Sequence, residues 1–118
     1  MNATAKWHRP RRHLSVIEDD LRRPQFRGCA FNNASIEFDQ PAHPARIEAR
    51  RYREQLALRL TRLARQLAGP RRGTPLGQQL AVLIDGAYAN AAHLGPDGPA
   101  AAGLNLARQL VAARRARR

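Results

Sequence analysis

Apolar residues recur at helical spacing along most of this chain. Leu14, Ile17 and Leu21 are separated by three and four positions and predict a short helix from Leu14 to Arg23. Ser15-Val16-Ile17-Glu18 reads as its capping box, and Pro24 as its stop. A longer stripe follows in Ala49, Tyr52, Leu56, Leu60, Leu63 and Leu67, at spacings of 3, 4, 4, 3 and 4. It predicts a helix over 44–68, opened by Pro44 and closed by Gly69-Pro70. Arg51, Arg62 and Arg65 fall on its other face, together with Ile47 and Leu58.

Pro70 to Gly73 reads as a turn, after which Thr74 caps a third helix with Pro75 at its first position, running to about residue 94. Its apolar stripe is Leu76, Leu80, Leu83, Ile84, Ala87, Ala91 and Leu94, widened by Val82 and Tyr88, and Asp85 is its one charge. Gly95-Pro96-Asp97-Gly98 is a turn signal. A fourth helix over about 99–115 carries Leu104, Ala107, Leu110 and Val111 and runs into Arg114, Arg115, Arg117 and Arg118. No alternating pattern of strand length occurs, so the expected fold class is all-α, an antiparallel helical bundle. Residues 1–13 read as an irregular basic arm interrupted by Pro10, and 14–118 as one domain. Between the first two helices, residues 24–43 read as an ordered loop holding all three phenylalanines, Phe26, Phe31 and Phe38, with a helical turn from Asn33 to Phe38.

Composition narrows the picture. With 118 residues, 43% hydrophobic and 25% charged, the chain has the make-up of one globular domain. A lone cysteine, Cys29, excludes an internal disulfide framework. No apolar run reaches the ~20 residues of a membrane span, and no secretory leader pattern is present. The expectation is a cytoplasmic protein with no membrane partner. The net charge of +12 raises nucleic acid as a partner, but arginine-rich solvated helix faces produce the same number.

The search for chemistry is sparse. Glu18, Asp19 and Asp20 are consecutive and do not face one another on a helix. Glu37 and Asp39 have no evident partner. Cys29, His8, His13, His43 and His93 lack the spacing of a metal site, and Gly69 to Thr74 lacks the lysine of a phosphate loop. We therefore expect no catalysis, no cofactor and no metal. Gly77, Gly86 and Gly103 fall inside predicted helices, where each costs ~1 kcal/mol relative to alanine and suits the close approach of another backbone. Two such helices can supply half of a four-helix bundle, which points to a homodimer.

The segment Phe26-Arg27-Gly28-Cys29-Ala30-Phe31-Asn32-Asn33-Ala34, followed by Glu37-Phe38 and His43-Pro44-Ala45-Arg46, resembles the C-terminal, effector-binding domain of the tetracycline-repressor (TetR) family of bacterial transcriptional regulators. Leu83-Ile84-Asp85-Gly86-Ala87 looks like the leucine-rich helix of the same domain. The resemblance covers about residues 14–113. It implies a domain that binds a small, apolar effector and homodimerises through its last two helices. On that reading Phe31, Asn32, Tyr52, Leu56 and Tyr88 line the effector site. Leu80, Leu83, Ile84, Ala87, Leu104, Ala107, Leu110 and Val111 form the dimer interface. The family's helix-turn-helix has no counterpart in these residues. That suggests a truncated regulator and argues against sequence-specific DNA binding by this chain alone. The competing reading is a small basic protein that binds nucleic acid non-specifically through its arginine-rich termini.

Overall fold

Gly69 reverses the chain. Its backbone sits at φ 87° and ψ 169°, a left-handed conformation open to glycine and strained for other residues, and it breaks the helix Pro44–Leu94 into two arms. Gly73 and Gly77 stand four and eight residues after it, against Arg65 and Thr61, four and eight residues before it. Asp85, sixteen residues after, pairs with Arg53, sixteen before, at 3.3 Å. The two arms therefore run antiparallel from a one-residue bend.

The computed structural model describes the backbone of residues 3–116 and the side chains of residues 11–30, 33 and 36–113. Four helices follow in order: α1 (Ala3–Leu21), α2 (Ala30–Glu37), α3 (Pro44–Leu94, the bent hairpin) and α4 (Pro99–Ala116). All regular structure among the described residues is helical. His43 caps α3, its Nδ1 accepting the Ala45 N–H at 3.1 Å, with Pro44 in the first turn. Phe38 stacks on the His43 ring at 4.1 Å. At the far end Gly95, at φ 81°, donates its N–H to the Ala91 carbonyl at 3.0 Å, and α4 begins four residues later.

The core joins Leu14, Ile17 and Leu21 of α1 to Leu60 and Ala64 of the first α3 arm, Leu76, Leu80, Ile84, Ala87 and Ala91 of the second, and Ala100, Leu104, Ala107 and Val111 of α4. Across α1 and α4, Arg108 bonds Glu18, and Arg22 reaches Asp97 at 2.7 Å. The molecule measures 44 × 31 × 18 Å. Its radius of gyration of 15.1 Å exceeds the roughly 13.5 Å of a compact chain this long.

Several expectations are corrected. Residues 3–13 are helical rather than irregular, and α1 begins at Ala3. A proline removes one helical donor and kinks a helix, but turns on both sides can continue past it. Ser15 accordingly caps nothing: its hydroxyl donates back to the Arg11 carbonyl at 3.2 Å, a mid-helix bond. Thr74 and Pro75 do not start a helix, because the second arm resumes straight after Gly69. The turn foreseen at Asn33–Phe38 is α2, Ala30–Glu37. In the loop before and after α2, Phe26 is half-buried and Phe38 lies at the surface.

Candidate effector site and association face

Two of the predicted effector residues meet at one end of the hairpin. The link after α1 is shaped by Gln25, at φ 62°, and by Gly28, at φ 90°. A Cβ on Gly28 would lie 3.2 Å from the Ala92 side chain, so the link presses directly on α3. This brings the Phe26 ring to 5.7 Å from that of Tyr88, tilted by 51°. The Tyr88 hydroxyl donates to Asp20 Oδ2 at 2.7 Å, while Asp20 Oδ1 accepts from Arg23 Nε at 2.7 Å.

Burial pushes the Tyr88 phenol well above its ordinary pKa, and the bond to Asp20, that carboxylate's charge, Tyr52 and Cys29 push the same way. Burial also raises the Tyr52 phenol, helped by Cys29 and opposed by the charge of Arg59. Tyr52, Tyr88, Cys29 and Asp20 thus share one neighbourhood. It is a wall of aromatic rings, Tyr88 and Phe26 partly buried and Tyr52 more exposed, with a few polar atoms among them. Leu56 packs partly buried against the core. Phe31 and Asn32 sit on α2, and their side chains lie outside the described residues. Asp20 and Phe26 were missed in the sequence as partners of this cluster. They lie 68 and 62 positions from Tyr88, and no local pattern links them.

None of the five cavities described among these residues is lined by Tyr52, Leu56 or Tyr88. The most enclosed, bounded by His13, Leu14, Leu60, Leu63 and Val111 among others, holds about 10 Å³. That is about the space of one water, against the ~300–1,000 Å³ of small-molecule sites. Among the described residues no three His, Cys, Asp or Glu side chains converge as metal ligands.

The predicted interface residues divide sharply. Leu80, Ile84, Ala87, Leu104, Ala107 and Val111 are 0–4% exposed in the single chain. They fill its own core, and a residue already buried has no surface to offer a second copy. Leu83 and Leu110 are only partly buried and belong to an open groove of ≈560 Å³ with Pro75, Gln78, Gln79, Val82 and Leu106. Val82 is 72% exposed and Leu106 45%. Gly86 continues the outward row of Pro75, Gln79 and Val82 at spacings of four, three and four, and a Cβ there would meet nothing within 4 Å.

Part of the positive charge is paired within the fold. Arg22, Arg23, Arg50, Arg51, Arg53 and Arg108 are all ion-paired. Of the basic arms at 6–12 and 114–118, on which the nucleic-acid reading rests, only the side chains of Arg11 and Arg12 are described, and both are exposed.

No protein-family model matches the chain, and no curated protein does. Among solved structures, it is similar to the crystal structure of SCO4454, a TetR-family transcriptional regulator from Streptomyces coelicolor. The TM-score is 0.84 at 29% identity, over 93% of this chain and 58% of the other. The chain thus spans less than two thirds of that regulator's length and has a TetR-like all-helical fold.

Proposed function

We propose that this chain is the regulatory part of a TetR-like transcriptional regulator, a homodimer whose conformation answers to a small, largely apolar effector. The carrying observation is the fold match, at TM-score 0.84 over 93% of the chain. The groove between the second α3 arm and α4 supports the association. Val82 and Leu106 are apolar, exposed and adjacent, and Gly86 leaves room for a partner backbone beside them. A two-fold axis along this groove would pair the two helices with their own copies and complete a four-helix bundle.

The effector end is the cluster of Tyr52, Tyr88, Phe26 and Asp20. Its aromatic rings supply apolar area, and the Tyr88 hydroxyl and Asp20 carboxylate supply orientation. The cluster is closed by its own hydrogen bonds, so an effector enters by displacing the Phe26 link.

Size-exclusion chromatography with light scattering tests the dimer: a mass of twice 13.2 kDa is expected at tens of micromolar. Val82→Glu with Leu106→Glu returns it to a folded monomer. A monomeric wild type of native helicity would defeat the association. For the effector, a panel of small apolar compounds screened by thermal shift should raise the melting temperature of the wild type and fail with Tyr88→Ala. A panel that acts equally on both would remove the assignment of the site.

A further inference from the structure

Flanking the core-facing row of α1, an open groove of ≈460 Å³ runs between α1 and the first α3 arm, lined by Arg12, His13, Val16, Arg59 and Leu63. We propose that this groove binds a small carboxylate amphiphile, its anionic head held between Arg12 and Arg59 and its apolar tail lying over Val16 and Leu63. The proposal does not depend on the regulator reading.

The first argument is uncompensated charge. No carboxylate lines the groove among the described residues. Four of the five acids on α1 and the first α3 arm are engaged elsewhere, and the fifth, the exposed Asp19, stands one turn along α1 from Val16. Glu18 holds Arg22 and Arg108, Asp20 holds Arg23 and Tyr88, and Glu48 and Glu54 hold Arg51 and Arg50. Two guanidinium groups thus line one groove beside a partly buried imidazole. Arg59 is close enough to His13 to disfavour its protonation, after burial of the ring itself. An anion placed among these three groups relieves that repulsion. The planar guanidinium fork matches a carboxylate in two parallel hydrogen bonds.

The second argument is the apolar floor. Val16 is 63% exposed, although it is β-branched and sits between charged neighbours on α1. A second groove of ≈380 Å³ continues from the first through the shared Arg59 and Leu63, and passes Leu58, itself 51% exposed. Together they form a track in which Val16, Leu63 and Leu58 alternate with Arg12, Arg59 and Arg62 and with Gln55 and Gln66. Its volume lies within the ~300–1,000 Å³ of small-molecule sites. Nucleic-acid phosphates would use the arginines and gain nothing from Val16 and Leu63. A bilayer needs a continuous apolar helix face, which α1 does not present outward beyond Val16 among its described side chains.

Calorimetric titration of the intact chain with decanoate tests this, with acetate as the bare head group and decan-1-ol as the uncharged tail. Saturable binding of one decanoate per chain is expected, with both controls at least tenfold weaker. Arg59→Gln should weaken decanoate by about tenfold, the low end for a hydrogen bond to a charged group. Arg71→Gln, on the exposed hairpin end outside the groove, should leave it unchanged. NMR titration of the His13 ring should show protonation becoming easier when decanoate is bound. Equal affinity for decanol, no saturable binding, or an unaltered Arg59→Gln would each overturn the proposal. So would Arg59-dependent capture by duplex DNA or anionic vesicles in place of decanoate.

Discussion

Gly77 packs against Thr61 so closely that a Cβ at position 77 would stand 2.5 Å from the Thr61 Cα and 2.7 Å from its hydroxyl oxygen. Gly73 has the same relationship to Arg65, at 2.3 Å from the Cα and 2.5 Å from the backbone nitrogen. Backbone atoms cannot swing aside as a side-chain tip can, so the two arms of α3 approach at a distance that only glycine permits. Both functional regions depend on this hairpin, because the first arm carries Tyr52 and Arg59 and the second carries Tyr88 and Val82.

The same substitution should therefore act in opposite directions along one helix. Gly77→Ala or Gly73→Ala overpacks the hairpin and should cost about 3 kcal/mol or more. Gly86→Ala meets nothing within 4 Å and gains helix propensity, so it should stabilise by about 1 kcal/mol. Urea denaturation of the three variants at low protein concentration measures the contrast.

Removing the Tyr88 hydroxyl unties α3 from α1. Tyr88→Phe keeps the contact with Phe26 and leaves Asp20 to Arg23, so the loss should be about 1 kcal/mol. Asp20→Asn should cost a similar amount, and the double variant should cost less than the sum.

Alkaline titration reads the tyrosine cluster directly. Both tyrosines of the chain have raised pKa values, so the folded protein holds their protons above pH 10, where the unfolded chain releases them. Stability is fully present below about pH 10 and falls as the pH rises beyond it. Phenolate absorbance should lag that of the urea-unfolded chain. Coincident curves would contradict the cluster.

His13 works at the other end of the scale. Burial, then Arg59, lower its pKa below 6.5, so the unfolded chain takes up its proton first as the pH drops. Its contribution to stability is complete above pH 6.5 and is lost as the pH falls through 6.5 toward the lowered folded value. His13→Gln should flatten the stability profile between about pH 5 and 7.

Gln25 occupies the left-handed region at φ 62°, where a Cβ is strained. Gln25→Gly should stabilise the chain by roughly 0.5–1 kcal/mol in thermal unfolding, without moving the Phe26–Tyr88 contact. A loss of stability would mean that the Gln25 side chain contributes more than its backbone costs.

The helices were legible in the sequence because burial imposes a 3.6-residue period that survives in one dimension. Leu14, Ile17 and Leu21 are all buried, as are Leu104, Ala107 and Val111. Gly69-Pro70 was legible as an interruption, and Gly77 as a place of close approach. Periodicity alone could not tell a stripe that buries itself within one chain from a stripe left for a second. Leu80 and Ile84 therefore read like Val82 and Leu83, although the core lies on one side of the helix and solvent on the other.

What the sequence determined by itself was the class of fold: four amphipathic segments, broken at Pro24, Gly69 and Gly95, that can only be buried against each other. The tertiary structure alone decided which groups meet. A one-residue bend at Gly69 sets residues equidistant from it face to face, joining Asp85 to Arg53. The packing of α1 then carries Asp20 to Tyr88 and His13 to Arg59. These pairs lie 68 and 46 positions apart, beyond the reach of any local pattern, and they meet because burying α1 against the hairpin fixes its register.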